Sequence, residues 1–450
     1  MNDPMIERPP GVSVRTLRLV LTAILWCTLA GVLQPAHAQG FTNFTKVHGR
    51  MALGDIKRDL EKHYYDTTFG GIDLEAHFDT ARERIDAATS TGQIFGIIAE
   101  AILAFDDSHT RFFPPERSVR IDYGLQMQMI GDTCYVVAVK PGSDAEAKGL
   151  RAGDMIVSVG GYEVTRDNLW KIKYGYYMVR PQPGMRLVVR NRDGRQRQLD
   201  VMAKITELQR VYHLETEDIW KLIREAESES RLHQHHFFQM PDSVVIWKMP
   251  EWEMSDRDID REMDEIRENS ALILDLRGNP GGLASMLQRM TGYFFDHDLT
   301  IAELAGRKDH KPLKAKTRGK NVFKGKLIVL VDSESQSASE VFARVIQLEG
   351  RGTVIGDRTS GSVMISMIHQ HTIGQRRIIS YALNVTEADL IMADGKSLER
   401  VGVTPDEILL PTMADLANQR DPVLARAAAL LGIDLDPAQA GTFFPVEWRN

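Results

Sequence analysis

Cysteine is nearly absent from this sequence, which holds two in 450 residues, Cys27 and Cys134. Cys27 lies in an N-terminal apolar segment, and Cys134 lies in the strand-like run Cys134-Tyr135-Val136-Val137-Ala138-Val139. Once a leader is removed, no internal disulfide is available, so stability must come from cores that a chain of this length can build. The apolar setting of Cys134 also argues against its use as a nucleophile. A strong charge of one sign is missing too: 55 Lys and Arg face 62 Asp and Glu, a net charge of -7, with a pI near 6.0. That balance gives no general attraction toward nucleic acid or anionic lipid and leaves protein or peptide partners. Repeats and low-complexity tracts are lacking as well.

Long apolar runs are limited to residues 19–33, preceded by Arg15 and Arg18 and followed by Ala36-His37-Ala38. This order predicts a secretory signal peptide over residues 1–38, cut before Gln39, with an uncleaved anchor as the alternative. The stretch is short for a stable membrane span, so no span is expected after cleavage. The expected location is outside the cytoplasm, in a bacterial periplasm.

Five further segments are expected. Residues 39–121 read as an N-terminal helical region, with apolar spacings of three and four ending at Asp106-Asp107-Ser108-His109-Thr110 and barred from continuing by Pro114-Pro115. Residues 122–204 read as short β-runs around a turn-rich centre. Residues 205–240 read as a charged helical linker containing Arg231-Leu232-His233-Gln234-His235-His236, whose histidines lack the acidic or cysteine partners of a zinc site, so no metal is expected. Residues 241–412 alternate apolar strands with amphipathic helices, which indicates an α/β layered domain with largely parallel pairing. Residues 413–450 form a C-terminal helical tail, with a closing helix near 422–431.

The segment 140–161 contains a short helix ending at Gly149, then Leu150-Arg151-Ala152-Gly153-Asp154 and an apolar strand before Gly160-Gly161. This resembles a PDZ domain. The resemblance implies that a peptide is taken as an added strand at a sheet edge, with its terminal carboxylate held in the loop Tyr123-Gly124-Leu125-Gln126. A β-rich spacer that binds nothing is the plain alternative.

Two motifs carry the chemistry. The apolar strand 327–331 leads through Asp332 to Ser337-Ala338-Ser339-Glu340, which opens a helix; a helix start offers free N–H groups to a hydroxyl and to an oxyanion. Serine is equally a preferred helix cap, so Ser337 or Ser339 alone decides nothing. The second motif is a strand ending in Asp275-Leu276-Arg277-Gly278-Asn279-Pro280-Gly281-Gly282. Together with Gly402-Val403-Thr404-Pro405-Asp406, and in this order, they resemble the C-terminal processing peptidases and their tricorn-core relatives. The resemblance implies a layered α/β serine-peptidase core, crotonase/ClpP-like, with an N-terminal helical region and an inserted PDZ-like domain. It further implies Ser337 as nucleophile, backbone N–H groups of Gly281 and Ala338 as oxyanion hole, protein or peptide substrates, and no cofactor.

The base departs from the tail-specific pattern. Where that branch has lysine in Gly-x-x-Thr-x-Gly-Lys, this chain reads Gly356-Asp357-Arg358-Thr359-Ser360-Gly361-Ser362, and the Ser362 hydroxyl cannot deprotonate Ser337 near neutral pH. The tricorn-like pattern offers Ser108-His109 and Glu399 instead. His109 would act as base, its imidazole titrating near neutrality, with Ser108 and Glu399 as orienting groups. Two alternatives stay open: a catalytically inactive peptide-binding scaffold, and a different lysine such as Lys396 swinging into the site. Substrate identity, an adaptor protein and a homo-oligomer are not legible.

Overall fold

A computed structural model of the chain describes residues 45–115, 119–207, 233–374, 378–446 and 448. The expected signal peptide lies outside these residues. Among the described residues no helix is long and apolar enough to cross a membrane.

The N-terminal region is helical as expected, with Lys46–His63, Leu74–Ala87 and Thr91–Leu103. Each helix starts on a side-chain cap, from Thr45, Asp73 and Ser90 respectively. Their inward faces, including Ile56, Phe78, Phe95 and Ile98, close one core with Phe112, Leu383 and Val385 from a five-stranded antiparallel sheet. This sheet contains Arg111–Phe113, Leu299–Gly306, Leu313–Ala315 and the long hairpin Met364–Ile373 and Ile379–Met392. The hairpin was not read from the sequence, although alternation in Tyr381, Leu383 and Val385 marks one buried face.

Residues 119–207 hold a separate core, built from Leu125, Val136, Ile156, Leu187 and Val189. Its main sheet runs Leu125–Ile130, Thr133–Val139, Met155–Val159, Gly184–Arg190 and Gln196–Met202 in spatial order. Leu125–Ile130 is therefore an edge strand. Burial pushes the Cys134 thiol, inside this core, up to about 12, in line with an inert cysteine.

The second large sheet runs His236–Met240, Val244–Lys248, Ala271–Asp275, Lys326–Val331, Thr353–Gly356 and Glu407–Ile408. The first pair is antiparallel and the rest are parallel. The strands Ala271–Asp275 and Lys326–Val331 are nearly continuous apolar runs because helices cover both faces. One face packs against Asp256–Ile266, Ala284–Thr291 and Ala338–Leu348; the other packs against the C-terminal helix Pro422–Leu430. The expected helical linker is corrected at both ends. Lys204–Glu207 pairs with Val119–Asp122, and His236–Met240 opens the core sheet; residues 208–232 lie outside the described residues. The alternation of the Phe237 and Phe238 environments reflects pairing with Val244–Lys248, a non-local partner that local charge could not reveal.

At the C-terminal end of the parallel strands, Asp275 is fully buried. Burial alone would raise its carboxyl, but the charges of Arg277 and Lys248 hold it well below the usual range. The Arg277 guanidinium bonds both Asp275 oxygens, Nε to Oδ1 at 2.9 Å and Nη2 to Oδ2 at 2.8 Å, and reaches Asp421 at 2.9 and 2.7 Å. Asp421 caps the helix Pro422–Leu430. One side chain thus ties the glycine-rich turn to the closing helix. Arg277→Ala leaves the buried Asp275 carboxylate with only Lys248 and the backbone N–H of residue 277, and should cost about 3 kcal/mol of stability, seen as a lower denaturation midpoint at an unchanged slope.

Candidate active site

Ser337 lies between the strand Lys326–Val331 and the helix Ala338–Leu348 with φ 53° and ψ −117°. A non-glycine residue here carries backbone strain and needs surroundings that hold it. The Ser337 N–H donates to the Ser362 carbonyl at 2.9 Å and toward Glu340 Oε2 at 3.1 Å. Glu340 is fully buried. Its carboxylate also accepts from Thr359 Oγ1 at 2.6 Å, Gly361 N at 2.7 Å and Ser362 N at 2.9 Å. Burial pushes the Glu340 carboxyl up to about 7, against the pull of these donors. Ser362, standing at the lysine position of the tail-specific pattern, is buried and serves this anchoring through its backbone.

The glycine-rich turn approaches Ser337 closely. A Cβ added at Gly281, where φ is 93°, would lie 2.6 Å from Ser337 Cβ and 3.1 Å from Ala338 N, so only glycine fits. The Gly281 N–H donates to Asn279 Oδ1 at 2.8 Å, and the buried Asn279 is itself fixed by Nδ2 to the Met249 carbonyl at 2.9 Å. The N–H groups of Ala338 and Gly282 have no partner among the described residues. Of the two expected oxyanion donors, Ala338 is therefore uncommitted and Gly281 is engaged by the chain itself.

The adjacent pair Ser108-His109 and the sequence-distant Glu399 meet in one hydrogen-bonded row. Ser108 Oγ lies 2.7 Å from His109 Nδ1 and 2.8 Å from Glu399 Oε2, and Ser108 N donates to Glu399 Oε1 at 2.9 Å. A serine hydroxyl has one proton. Given to the carboxylate, it leaves the Ser108 oxygen to accept from Nδ1–H, so the lone pair of the neutral ring sits on Nε2. Burial, with the nearby Arg111 charge, lowers His109 from 6.5 to about 4. The expectation of titration near neutrality is thereby shifted to the acid side, because the ring is desolvated and stands beside a cation. Burial raises the Glu399 carboxyl.

The loop carrying His109 is pinned by residues that the sequence did not mark. Asp107 Oδ1 accepts from His109 N at 2.9 Å, Thr110 N at 2.6 Å and Thr386 Oγ1 at 2.7 Å, and Asn384 Nδ2 donates to the His109 carbonyl at 2.9 Å. Asp107 adjoins the Ser-His pair, but Thr386 and Asn384 lie on the unforeseen hairpin. The two halves of the site share one segment: Ser362 O accepts from Ser337 N, and the next residue, Val363, donates N–H to Glu399 Oε2 at 2.9 Å. No hydrogen bond links Ser337 to His109. Lys396 is exposed and donates no side-chain hydrogen bond to any of these groups.

The loop expected to hold a peptide carboxylate is also occupied internally. Gly124 N–H donates to Asp122 Oδ1 at 2.8 Å, while Asp122 Oδ2 pairs with Lys140 Nζ at 2.7 Å. Tyr123 is buried with its hydroxyl donating to the Gln182 carbonyl at 2.7 Å, and Leu125 faces the core; Gln126 is exposed. The β-rich unit abuts the loop before Ser337 through Gln128 Nε2 to Asp332 Oδ2 at 2.7 Å and Ser333 Oγ to the Met129 carbonyl at 2.5 Å.

A strand-to-helix serine thus stands beside a glycine-rich turn at the end of a parallel sheet in an α/β core. Residues 243–409 match the family model Peptidase family S41. The chain is 22% identical over 331 residues to a carboxyl-terminal-processing protease of Picosynechococcus sp., covering 70% of this chain and 73% of that one. It is 31% identical over 181 residues to a tricorn protease homolog of Streptomyces coelicolor, 40% of this chain but only 14% of that relative's length. The fold is similar to that of mature CPAF, with a TM-score of 0.61 at 14% identity, over 83% of this chain and 94% of that one.

Two outcomes test this geometry. Glu340→Ala leaves several buried donors unpaired and should lower stability by about 3 kcal/mol or more, measured by chemical denaturation. His109, neutral in the fold, contributes stability that is complete above pH 6.5 and is lost as pH falls through about 4, because the unfolded chain takes the proton first. A His109→Gln variant should lack that part of the acid-side slope.

Proposed function

We propose that the chain is an exported serine endopeptidase that hydrolyses peptide bonds of protein substrates through an acyl-Ser337 intermediate. The observation that carries this reading is the row Glu399, Ser108, His109, tied through Val363 and Ser362 to the strained backbone of Ser337. His109 Nε2 takes the Ser337 proton as Oγ attacks the scissile carbonyl, and returns it to the leaving amine. Ser108 and Glu399 keep Nδ1 protonated and stabilise the charged ring. The Ala338 N–H faces the developing oxyanion; Gly281 joins it by sharing the N–H now held by Asn279. Rotation of Ser337 or a small advance of the His109 loop would close the gap, since catalytic hydrogen bonds tighten on substrate binding.

In this reading residues 122–204 act as a PDZ-like module that takes substrate C-termini as an added strand at the free edge of Leu125–Ile130. A terminal carboxylate would displace Asp122 from Gly124. The leader pattern of residues 1–38 supports export, to a bacterial periplasm by the style of the signal. No metal or organic cofactor enters the peptidase chemistry.

The internal occupation of the Gly281 and Gly124 N–H groups favours one other reading, a scaffold that binds peptides without cleaving them. Incubation with an unfolded protein substrate separates the two. Ser337→Ala should lower turnover by at least about 10³-fold, and a serine-directed phosphonate should label Ser337 in the native chain but not in His109→Ala. Cleavage that survives Ser337→Ala ends the nucleophile assignment; tight peptide binding with no labelling identifies the scaffold.

A further inference from the structure

Away from this site, the end of the helix Lys46–His63 meets the long hairpin. His63 Nδ1 lies 3.6 Å from Glu387 Oε1, and His369 Nε2 lies 4.0 Å from the same oxygen. One ligand atom from each residue falls within 4.8 Å of the others. These separations are too long for hydrogen bonds, and no described residue donates a hydrogen bond to the Glu387 carboxylate. His369 Nε2 is buried with no hydrogen-bond partner, which a folded protein rarely tolerates without a ligand or water.

From these contacts we infer that His63, His369 and Glu387 form a binding site for a divalent first-row metal ion of the zinc type, which staples the N-terminal helix to the hairpin. Two imidazoles and one carboxylate suit such an ion, with water completing four-coordination. Tetrahedral Zn–N and Zn–O bonds of about 2.0–2.1 Å place ligand atoms about 3.3 Å apart, so from separations of 3.6 Å, 4.0 Å and at most 4.8 Å closure needs the groups to draw together by roughly 0.3 to 1.5 Å, within the reach of side-chain rotation.

The backbone shapes the site. The hairpin pairing jumps from Ile365↔Ala388 to Ser366↔Thr386, which makes Glu387 the extra residue of a β-bulge. Bulges re-aim side chains, and here the carboxylate meets His369, on the partner strand, and His63. His63 is the last residue of its helix, where the helix dipole favours a cation.

The staple would act close to the catalytic loop. Thr386, beside Glu387, donates to Asp107 and accepts Tyr65 N–H at 2.9 Å through its carbonyl, so an ion on Glu387 restrains the strut that holds His109.

The test uses the untagged chain, stripped with chelator and titrated with Co²⁺ and Zn²⁺. One Co²⁺ per chain with the intense visible bands of a four- or five-coordinate site is expected, displaced by Zn²⁺, and saturating Zn²⁺ should raise the melting temperature. Glu387→Gln and His369→Ala should each weaken binding at least about 10-fold, the range that loss of even an outer partner costs, with unchanged circular dichroism. His371→Ala, on the same strand, and His233→Ala, in the histidine tract, should bind as the native chain does. No stoichiometric binding, or binding equal in Glu387→Gln and the native chain, overturns the site. So does loss of binding only in His233→Ala, which would move the ion to the tract.

Discussion

The buried Glu340 carboxylate is the contact on which the arrangement around Ser337 depends. Side chains elsewhere in the site can rotate, but the Ser337 backbone holds an unfavourable φ only because its N–H is fixed by Ser362 O and Glu340 Oε2. The same carboxylate collects Thr359, Gly361 and Ser362, so the Ser337 turn and the neighbouring loop are held as one body. Burying a carboxyl is costly, and these donors offset that cost. A residue that would pass for an ordinary cap partner in the first helical turn therefore governs the geometry of the serine before it.

From that body the connection runs outward by one residue. Ser362 faces Ser337 and Val363 faces Glu399, and alternation along an extended segment sends successive groups to opposite sides. Glu399 then reaches Ser108 and His109 across nearly the whole chain length. Ser337 and His109 thus sit on different structural layers, the parallel sheet and the helical layer with its antiparallel sheet, and Ile301, Leu313, Leu390 and Met392 of the antiparallel sheet also pack into the core of the parallel one.

The Arg277 bridge shows the same economy at the glycine-rich turn. Asp275 and Arg277 are neighbours in sequence, yet the guanidinium also holds Asp421 at the start of the closing helix. The turn must approach Ser337 within the space of a missing Cβ, so its position has to be fixed from below. A buried, paired carboxylate beneath it does this more rigidly than apolar packing alone.

Much of the fold was legible because it follows local pattern. The helices 46–63, 74–87 and 91–103 carry caps and apolar spacing, and the strands 271–275 and 326–331 are short apolar runs between turn signals. The hairpin 364–392 and the strand 236–240 escaped, since polar and histidine-bearing residues become strand only through partners remote in sequence. Among site residues, Ser337, Ser108, His109 and Glu399 were named from motif order, whereas Asp107, Thr386 and Asn384 carry no local signature.

The sequence by itself determined the chemical inventory: a serine at a helix start, a glycine turn, an imidazole next to a hydroxyl, and no lysine where one branch of the family would have it. Only the tertiary structure decided how those groups stand. It set the His109 tautomer by a serine relay, lowered that ring by burial, and assigned the Gly281 and Gly124 N–H groups to the chain's own Asn279 and Asp122. Residue types are written locally, but desolvation and hydrogen-bond competition depend on what the rest of the chain brings near, and spacing along the sequence does not encode that.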